Sequence, residues 1–233
     1  MMYNKDRQSA DDSDVQPPRG RLITFEGIDG SGKTAQINRL TDLLQRRGLE
    51  VLVLREPGGT PIGEAIRKIL LDKKHMEMCS ETEMLLFSAA RAQLVRQVIA
   101  PALAEGIWII CDRFFDSSLA YQGYGRGMDL GAIRWLNRLA VGLFVPDLSF
   151  VLDLPVELAI ERLAGRAEKA DRLDQESLAF MQKAREGYHR LAAEEPDRLI
   201  MVDASQPEEI LAEQIHTVLR RAWTDETDIC NRT

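Results

Sequence analysis

A glycine-rich octapeptide near the amino-terminal end carries the residues best suited to chemistry. It fits the pattern G-x-x-x-x-G-K-[ST], in which glycines let several backbone N–H groups point at phosphate oxygens. The lysine of this pattern reaches the β- and γ-phosphates of a nucleotide, and the hydroxyl binds Mg²⁺. The sequence therefore predicts a site for a nucleoside triphosphate with magnesium, formed by Gly27, Ile28, Asp29, Gly30, Ser31, Gly32, Lys33 and Thr34.

An acidic and a basic residue stand together after another apolar run. Asp112 and Arg113 follow the run 108–111. In enzymes with a phosphate loop, an acid at the carboxyl end of a core strand is a second anchor for Mg²⁺. An arginine beside it would face a substrate phosphate. An ordinary strand-ending turn is the alternative, but beside a phosphate loop we favour the functional interpretation.

Two other segments hold groups that suit the rest of a substrate. Residues 56–60 form a turn after the run 51–54, because Pro57 and two glycines favour one there. Residues 115–127 contain two tyrosines, a glutamine and two adjacent serines, which could stack on and hydrogen-bond to a nucleobase and its sugar. A plain turn and a polar surface loop are the alternatives for these two segments.

Three arginines form a further candidate group. Arg162 and Arg166 are four residues apart, so on a helix they share a face, and Arg172 follows after a polar stretch. We interpret residues 162–173 as a mobile lid whose arginines reach over a triphosphate, since a guanidinium spreads its donors over developing charge. The alternative is a solvated helix end paired with neighbouring glutamates.

Short apolar runs position these groups. Residues 22–25, 51–54, 108–111, 149–152 and 199–202 alternate with amphipathic helix patterns. Strands that alternate so little in polarity are covered on both faces, which predicts a three-layer α/β/α fold with a five-stranded parallel sheet and right-handed crossovers. Ligands of such folds bind at the carboxyl ends of the strands. Within this pattern, Gly48 predicts a helix end, and Pro101 predicts the end or a kink of a longer helix.

Composition limits the class of protein. The chain has 233 residues, a net charge of −7 and 45% hydrophobic residues, which fits one folded domain and argues against broad nucleic-acid binding. No apolar run approaches the roughly 18 residues of a membrane span, and three scattered cysteines suggest a reducing compartment. We expect a flexible tail at 1–20, one domain at 21–223, a second tail at 224–233 and a cytoplasmic location.

The motifs together resemble those of the bacterial thymidylate kinases, which belong to the P-loop nucleoside monophosphate kinases. The resemblance spans about residues 21–223. It rests on the loop 25–34 and on three further motifs: Arg55-Glu56-Pro57-Gly58-Gly59-Thr60, Leu86-Phe87-Ser88-Ala89-Ala90-Arg91, and Asp112-Arg113-Phe114 with Ser117-Ser118-Leu119-Ala120-Tyr121-Gln122-Gly123.

The resemblance implies transfer of the γ-phosphate of ATP to dTMP, with Mg²⁺, in a homodimer. It implies that Asp112 and Thr34 hold the metal and that Lys33, Arg113 and the lid arginines Arg162, Arg166 and Arg172 neutralise charge. It also implies a dTMP site in which Phe87 stacks on thymine and Arg91 donates to thymine O4. The other implied members of that site are Asp29 at the 3′-hydroxyl, Glu56 and Pro57 at the floor, Arg113 at the phosphate, Ser118 and Gln122 at the base edge, and Tyr121 under the deoxyribose.

Three alternatives remain open at the level of sequence. A kinase for dUMP, dCMP or a deoxynucleoside would share most of these motifs. A GTPase switch would need a guanine-reading Asn-Lys-x-Asp, and the only Asn-Lys, Asn4-Lys5, is followed by Asp6-Arg7. A non-catalytic scaffold is disfavoured by the intact phosphate loop and Asp112-Arg113 pair.

Overall fold

The computed structural model describes residues 20–164, 172 and 177–223. The expected tails, most of the lid segment and Arg166 lie outside these residues. The described strands are β1 (Leu22–Glu26), β2 (Val51–Arg55), β3 (Trp108–Asp112), β4 (Leu148–Asp153) and β5 (Leu199–Asp203). Each strand matches a predicted apolar run, extended by one or two residues.

The strands form one parallel sheet in the order β2-β3-β1-β4-β5. Strand β1 is central, and the connections that leave the adjacent strands β1 and β3 run in opposite directions, to β2 at one edge and to β4 on the other side of β1. A crevice therefore opens at the carboxyl end of β1, where open α/β sheets bind their ligands.

Helices connect and cover the strands. The helices are α1 (Lys33–Arg46), α2 (Pro61–Leu71), α3 (Ser80–Leu94), α4 (Ala100–Ala104), α5 (Phe115–Ser118), α6 (Leu130–Val141), α7 (Val156–Ala164), α8 (Leu178–Glu194) and α9 (Glu208–Ala222). Helices α1, α7 and α9 pack on one face of the sheet, and α3, α4 and α6 pack on the other. The three-layer prediction is confirmed.

The helical structure that begins with α3 continues beyond the end that the sequence suggested. A π-helical turn, Val95–Ile99, joins α3 to α4, so helical structure continues past Pro101 to Ala104. Of the two outcomes predicted at Pro101, a helix end or a kink, the helix end is wrong. Proline lacks an N–H and disturbs the regular ladder, and here the widened turn directly before it absorbs that disturbance.

Two helical segments were not expected. Residues 115–125 form α5 followed by a π-helical turn, Leu119–Gly125, and α8 packs against that turn. Helix α8 buries Phe180, Tyr188 and Leu191 together with the small residues Ala184 and Gly187. Because alanine and glycine interrupt its apolar stripe, the helical period is weak in the sequence.

Candidate active site

A cavity of about 240 Å³ opens at the carboxyl ends of β1, β2 and β3. It joins the phosphate loop to the turn after β2, to α3 and to the segment after β3. Most of the predicted site residues line it: Asp29, Gly30, Gly32, Lys33, Thr34, Glu56, Pro57, Phe87, Arg91, Asp112, Arg113, Ser118, Tyr121 and Gln122. Residues far apart in the chain thus share one small volume.

The phosphate loop has no space for a side chain at Gly30. This residue has a φ of +82°, and a Cβ there would lie 2.7 Å from the carbonyl oxygen of Ala159 in α7. Gly27 is equally constrained, because a Cβ would lie 2.5 Å from the carbonyl oxygen of Leu152. Any larger side chain at position 30, a cationic one included, would therefore clash with α7 and strain the loop, so cations beyond Lys33 have to come from other elements.

Lys33 is folded back onto its own loop. Its Nζ donates to the carbonyl oxygens of Gly27 at 3.2 Å and Ile28 at 3.1 Å, and lies 3.9 Å from Asp29. Burial, together with the nearby Arg113 charge, lowers the pKa of Lys33 to about 8. The side chain therefore carries an incompletely stabilised charge beside the cavity, which suits an incoming anion.

Arg113 connects the loop to the opposite wall. It has a positive φ of 68°, unusual for a residue with a side chain, and so turns sharply after β3. Its guanidinium donates to Asp29 at 2.7 Å and to the Tyr121 hydroxyl at 3.1 Å. It also donates to Ser117 and Tyr188, so its position is fixed by four side chains.

A buried carboxyl group lies under Arg113. Glu26, at the end of β1, accepts from the N–H of Phe114 at 2.7 Å, from Ser117 at 2.6 Å and from Tyr188 at 3.2 Å. Burial, reinforced by the neighbouring Asp116 charge, raises the pKa of Glu26 to about 8. Sequence reasoning assigned no individual role to Glu26.

The far wall of the cavity is a buried polar network around Arg91. Its guanidinium contacts Glu56 twice, at 2.8 and 2.7 Å, and donates to Ser118 at 3.0 Å and Asn137 at 2.8 Å. A fifth contact, at 3.3 Å, is to the carbonyl oxygen of Phe114. Asn137 was not predicted, since nothing in the local sequence distinguishes it from a polar residue on a helix surface.

Two residues fit a magnesium ion at the mouth of the loop. The Oδ1 atom of Asp112 is buried and has no hydrogen-bond partner among the described residues, although it belongs to a carboxylate that lines the cavity. The exposed Thr34 lines the same cavity. One carboxylate and one hydroxyl suit Mg²⁺, which takes its remaining ligands from water and phosphate.

The lid arginines are found in different places. Arg162 donates to the carbonyl oxygens of Gly30 at 3.5 Å and Ala204 at 3.1 Å, beside the phosphate loop. Arg172 is buried at the end of α2, where it donates to the carbonyl oxygen of Leu70 and to Glu83. Arg166 lies outside the described residues.

Helix α8 supplies aromatic residues that sequence reasoning missed. Phe180 lines the cavity with its ring centroid 5.9 Å from that of Tyr121, and Tyr188 meets Tyr121 edge to face at 6.3 Å. Arg126, which also lines the cavity, lies over Phe180 at 5.1 Å. The walls of the cavity thus combine aromatic faces with fixed cations, as a nucleotide requires.

Comparison with known proteins decides the family. A profile of the thymidylate kinase family matches residues 25–215. This chain belongs to the thymidylate kinase family. Thymidylate kinase of Chlorobaculum tepidum is 50% identical over 191 residues, 78% of this chain and 89% of that protein. Thymidylate kinase of Geobacter sulfurreducens is 48% identical over 205 residues, 86% and 96% of the two chains.

A solved structure agrees with this result. The crystal structure of thymidylate kinase from Ehrlichia chaffeensis matches with a TM-score of 0.71 at 33% identity, covering 87% of this chain and 99% of that one. The chain is therefore an enzyme that uses ATP to phosphorylate dTMP to dTDP, a step of nucleotide biosynthesis. Within its described residues, no helix is long and apolar enough to cross a membrane.

Proposed function

We propose that the enzyme transfers the γ-phosphoryl group in line, with ATP in the phosphate loop and dTMP between Arg113 and the Arg91 wall. The observation that carries this proposal is the position of Arg113. Its guanidinium contacts Asp29 of the loop and Tyr121 of the opposite wall, so an acceptor phosphate bound there faces the donor phosphates.

Charge neutralisation is the main contribution of the protein. An acceptor oxygen of dTMP bonds to the γ-phosphorus while the bond to the β–γ bridging oxygen breaks and ADP leaves. Because the dTMP phosphate is already largely ionised near neutral pH, no strong general base is required. Lys33 and Arg113 stabilise the developing charge, with Arg162 next to Gly30 as a further cation. Arg166 stays a candidate, and Arg172 would first have to leave its contacts with Leu70 and Glu83.

Magnesium would be held by Asp112 and Thr34. The unpartnered Oδ1 of Asp112 supports this assignment. When bound, Mg²⁺ neutralises phosphate charge and orients the β- and γ-phosphates.

The nucleoside would lie between the aromatic residues and the polar wall. Phe87 stacks on thymine, Tyr121 lies under the deoxyribose, and Asp29 accepts from the 3′-hydroxyl. Ser118 and Gln122 contact the base edge, and Glu56 with Pro57 forms the floor. Arg91 would reach thymine O4 by sharing a hydrogen that it already donates to protein acceptors.

We also propose a homodimer formed through α3 and α6, which pack side by side. Leu85 on α3 and Trp135 and Leu139 on α6 are 55%, 57% and 63% exposed, and residues 135 and 139 are one turn apart. A partner helix would cover them. Sedimentation of Leu139→Glu at several concentrations tests this: a monomer is expected, and an unchanged dimer would contradict it.

The proposed domain is residues 21–223, and the proposed location is the cytoplasm, where ATP and dTMP are available.

The first experiment is ADP release from ATP and Mg²⁺ with dTMP, dUMP, dCMP, ribosyl thymidine monophosphate and thymidine offered separately. A strong preference for dTMP supports both the base pocket and the sugar contacts. Equal use of several monophosphates would contradict the roles of Phe87, Arg91 and Tyr121.

A further inference from the structure

A buried carboxylate on α3 lies behind the base pocket and has no role in the mechanism above. Glu83 is 1% exposed. Its Oε1 accepts from Gln122 Nε2 at 2.9 Å and from Arg126 Nε at 2.7 Å. Its Oε2 accepts from Arg126 at 3.0 Å and from Arg172 at 2.5 Å. Three side chains thus occupy both oxygens of one carboxylate.

These donors keep Glu83 ionised. Burial alone would raise its pKa, but the hydrogen bonds from Arg126, Gln122 and Arg172 outweigh burial and hold the pKa of Glu83 below its usual value. An ionised carboxylate only accepts hydrogen bonds. The amide of Gln122 must therefore turn its NH₂ group toward Glu83, and its carbonyl oxygen Oε1 must point away.

The orientation of Gln122 decides what it offers to a ligand. Gln122 lines the cavity, and its Oε1 accepts no hydrogen bond from the described residues. If the amide were reversed, it would offer a donor to the ligand in place of an acceptor. A glutamine alone does not distinguish these two states, because its two ends are nearly equal in size.

We propose that Glu83 is a positioning residue that makes Gln122 present an acceptor to the base. This inference rests on the proposed function, in which Gln122 contacts the base edge. Thymine carries a hydrogen on N3 and can donate to that acceptor, whereas N3 of cytosine is itself an acceptor and would face an unpaired, repelling oxygen. Glu83 thereby contributes to base selectivity without touching the substrate.

Arg172 holds the Glu83 carboxylate on the side opposite Gln122, from the end of α2. It is 6% exposed, and its Nε donates to the carbonyl oxygen of Leu70 at 2.7 Å while its backbone N–H donates to Leu71 at 3.2 Å. These bonds anchor its guanidinium at the end of α2, so Glu83 is held between α2 and the π-helical turn. The carboxylate therefore has little freedom to rotate away from Gln122.

The test is steady-state kinetics of Glu83→Gln with dTMP and with dCMP, together with the KM for ATP. The neutral amide at position 83 can donate as well as accept, so Gln122 is free to reverse. We expect kcat/KM for dTMP to fall about tenfold, the effect of one hydrogen bond, mostly through KM. The preference for dTMP over dCMP should fall by at least as much, while the KM for ATP stays within about twofold.

Asp116→Asn is the matched control. Asp116 is also a fully buried carboxylate held by an arginine, Arg198, at 2.8 and 2.9 Å, but neither residue lines the cavity. Loss of a buried ion pair should lower its thermal stability and leave base preference unchanged. An equal loss of preference in both variants, or no loss in Glu83→Gln, would overturn the proposal.

Two further points keep the test decisive. If Glu83→Gln does not fold, Glu83→Asp retains the charge that the two arginines require but shortens the side chain by one methylene. It should then show a smaller loss of preference in the same direction, and a wild-type preference in a folded Glu83→Asp would count against the proposal.

A wild-type enzyme without dTMP kinase activity would overturn the proposed function and this inference together, whereas an active wild type with unaffected variants overturns only the inference.

Discussion

ATP binding should draw a proton from solution onto Lys33, and the pKa of this residue sets the amount. In the free enzyme the pKa of Lys33 is lowered to about 8, so about half of the molecules lack the proton at pH 8 and about a tenth lack it at pH 7. A bound triphosphate replaces the two carbonyl contacts with full negative charges, which should raise the pKa of Lys33 back toward its ordinary value of 10.5. Uptake should therefore be about 0.5 proton per ATP at pH 8 and about 0.1 at pH 7.

Isothermal titration calorimetry measures this uptake directly. ATP with Mg²⁺ is titrated into enzyme without an acceptor, in buffers of different ionisation enthalpy, and the slope of the observed enthalpy gives the number of protons. Lys33→Met should remove most of the uptake at pH 8. Because Glu26 has a pKa of about 8 and lies nearby, Glu26→Gln is the control and should keep most of it.

Two results would refute the reasoning. No uptake by the wild type at pH 8 would mean that Lys33 is fully charged in the free enzyme. Equal uptake by the wild type and Lys33→Met would mean that another group takes the proton, and loss in Glu26→Gln alone would identify that group as Glu26.

Three other predictions concern the same region. Since the folded-state pKa of Glu26 is raised from 4.5 to about 8, the folded enzyme holds an extra proton between these values, so the free energy of unfolding should fall as pH rises from 5 to 8, by a few kcal/mol at most. Denaturant unfolding of Glu26→Gln should lack this fall, and parallel pH profiles would contradict it. Arg113→Ala should lower kcat for dTMP about a hundredfold or more with circular dichroism unchanged, and near-normal turnover would remove Arg113 from the mechanism. Gly187→Ala should destabilise the enzyme by about 1–3 kcal/mol, because the new Cβ would lie 2.7 Å from the ring of Tyr124, and a higher melting temperature would show that helix propensity outweighs this clash.

Features that depend on residues close together in the chain were predictable from the sequence. The five strands and the phosphate loop follow from short apolar runs and one local motif, and their bounds agree within two residues. The residues of the base site were predicted from the resemblance to a family, and the structure brings them to one cavity: Phe87, Arg91, Ser118, Tyr121 and Gln122. Their individual roles remain predictions.

Features that depend on distant partners were not predictable. Asn137 and Glu83 look like ordinary polar positions on helices, and only folding brings Asn137 to Arg91 and Glu83 to Arg172. Helix α8 was missed because its buried face includes alanine and glycine, which give little hydrophobic contrast. At Pro101 the sequence could not decide between a helix end and a local disturbance, because the energetic cost of proline depends on whether the preceding turn can widen.

The network around Arg91 orders the base pocket before any substrate binds, so the loss of side-chain conformational entropy there accompanies folding. Its guanidinium already makes five contacts with protein atoms in the absence of nucleotide. A long, rotamer-rich side chain is therefore immobilised during folding, and substrate binding does not have to order it. Asn137 and Glu56 thus support affinity by preorganisation, so their loss would loosen a pocket wall and would appear as a larger entropic penalty of binding.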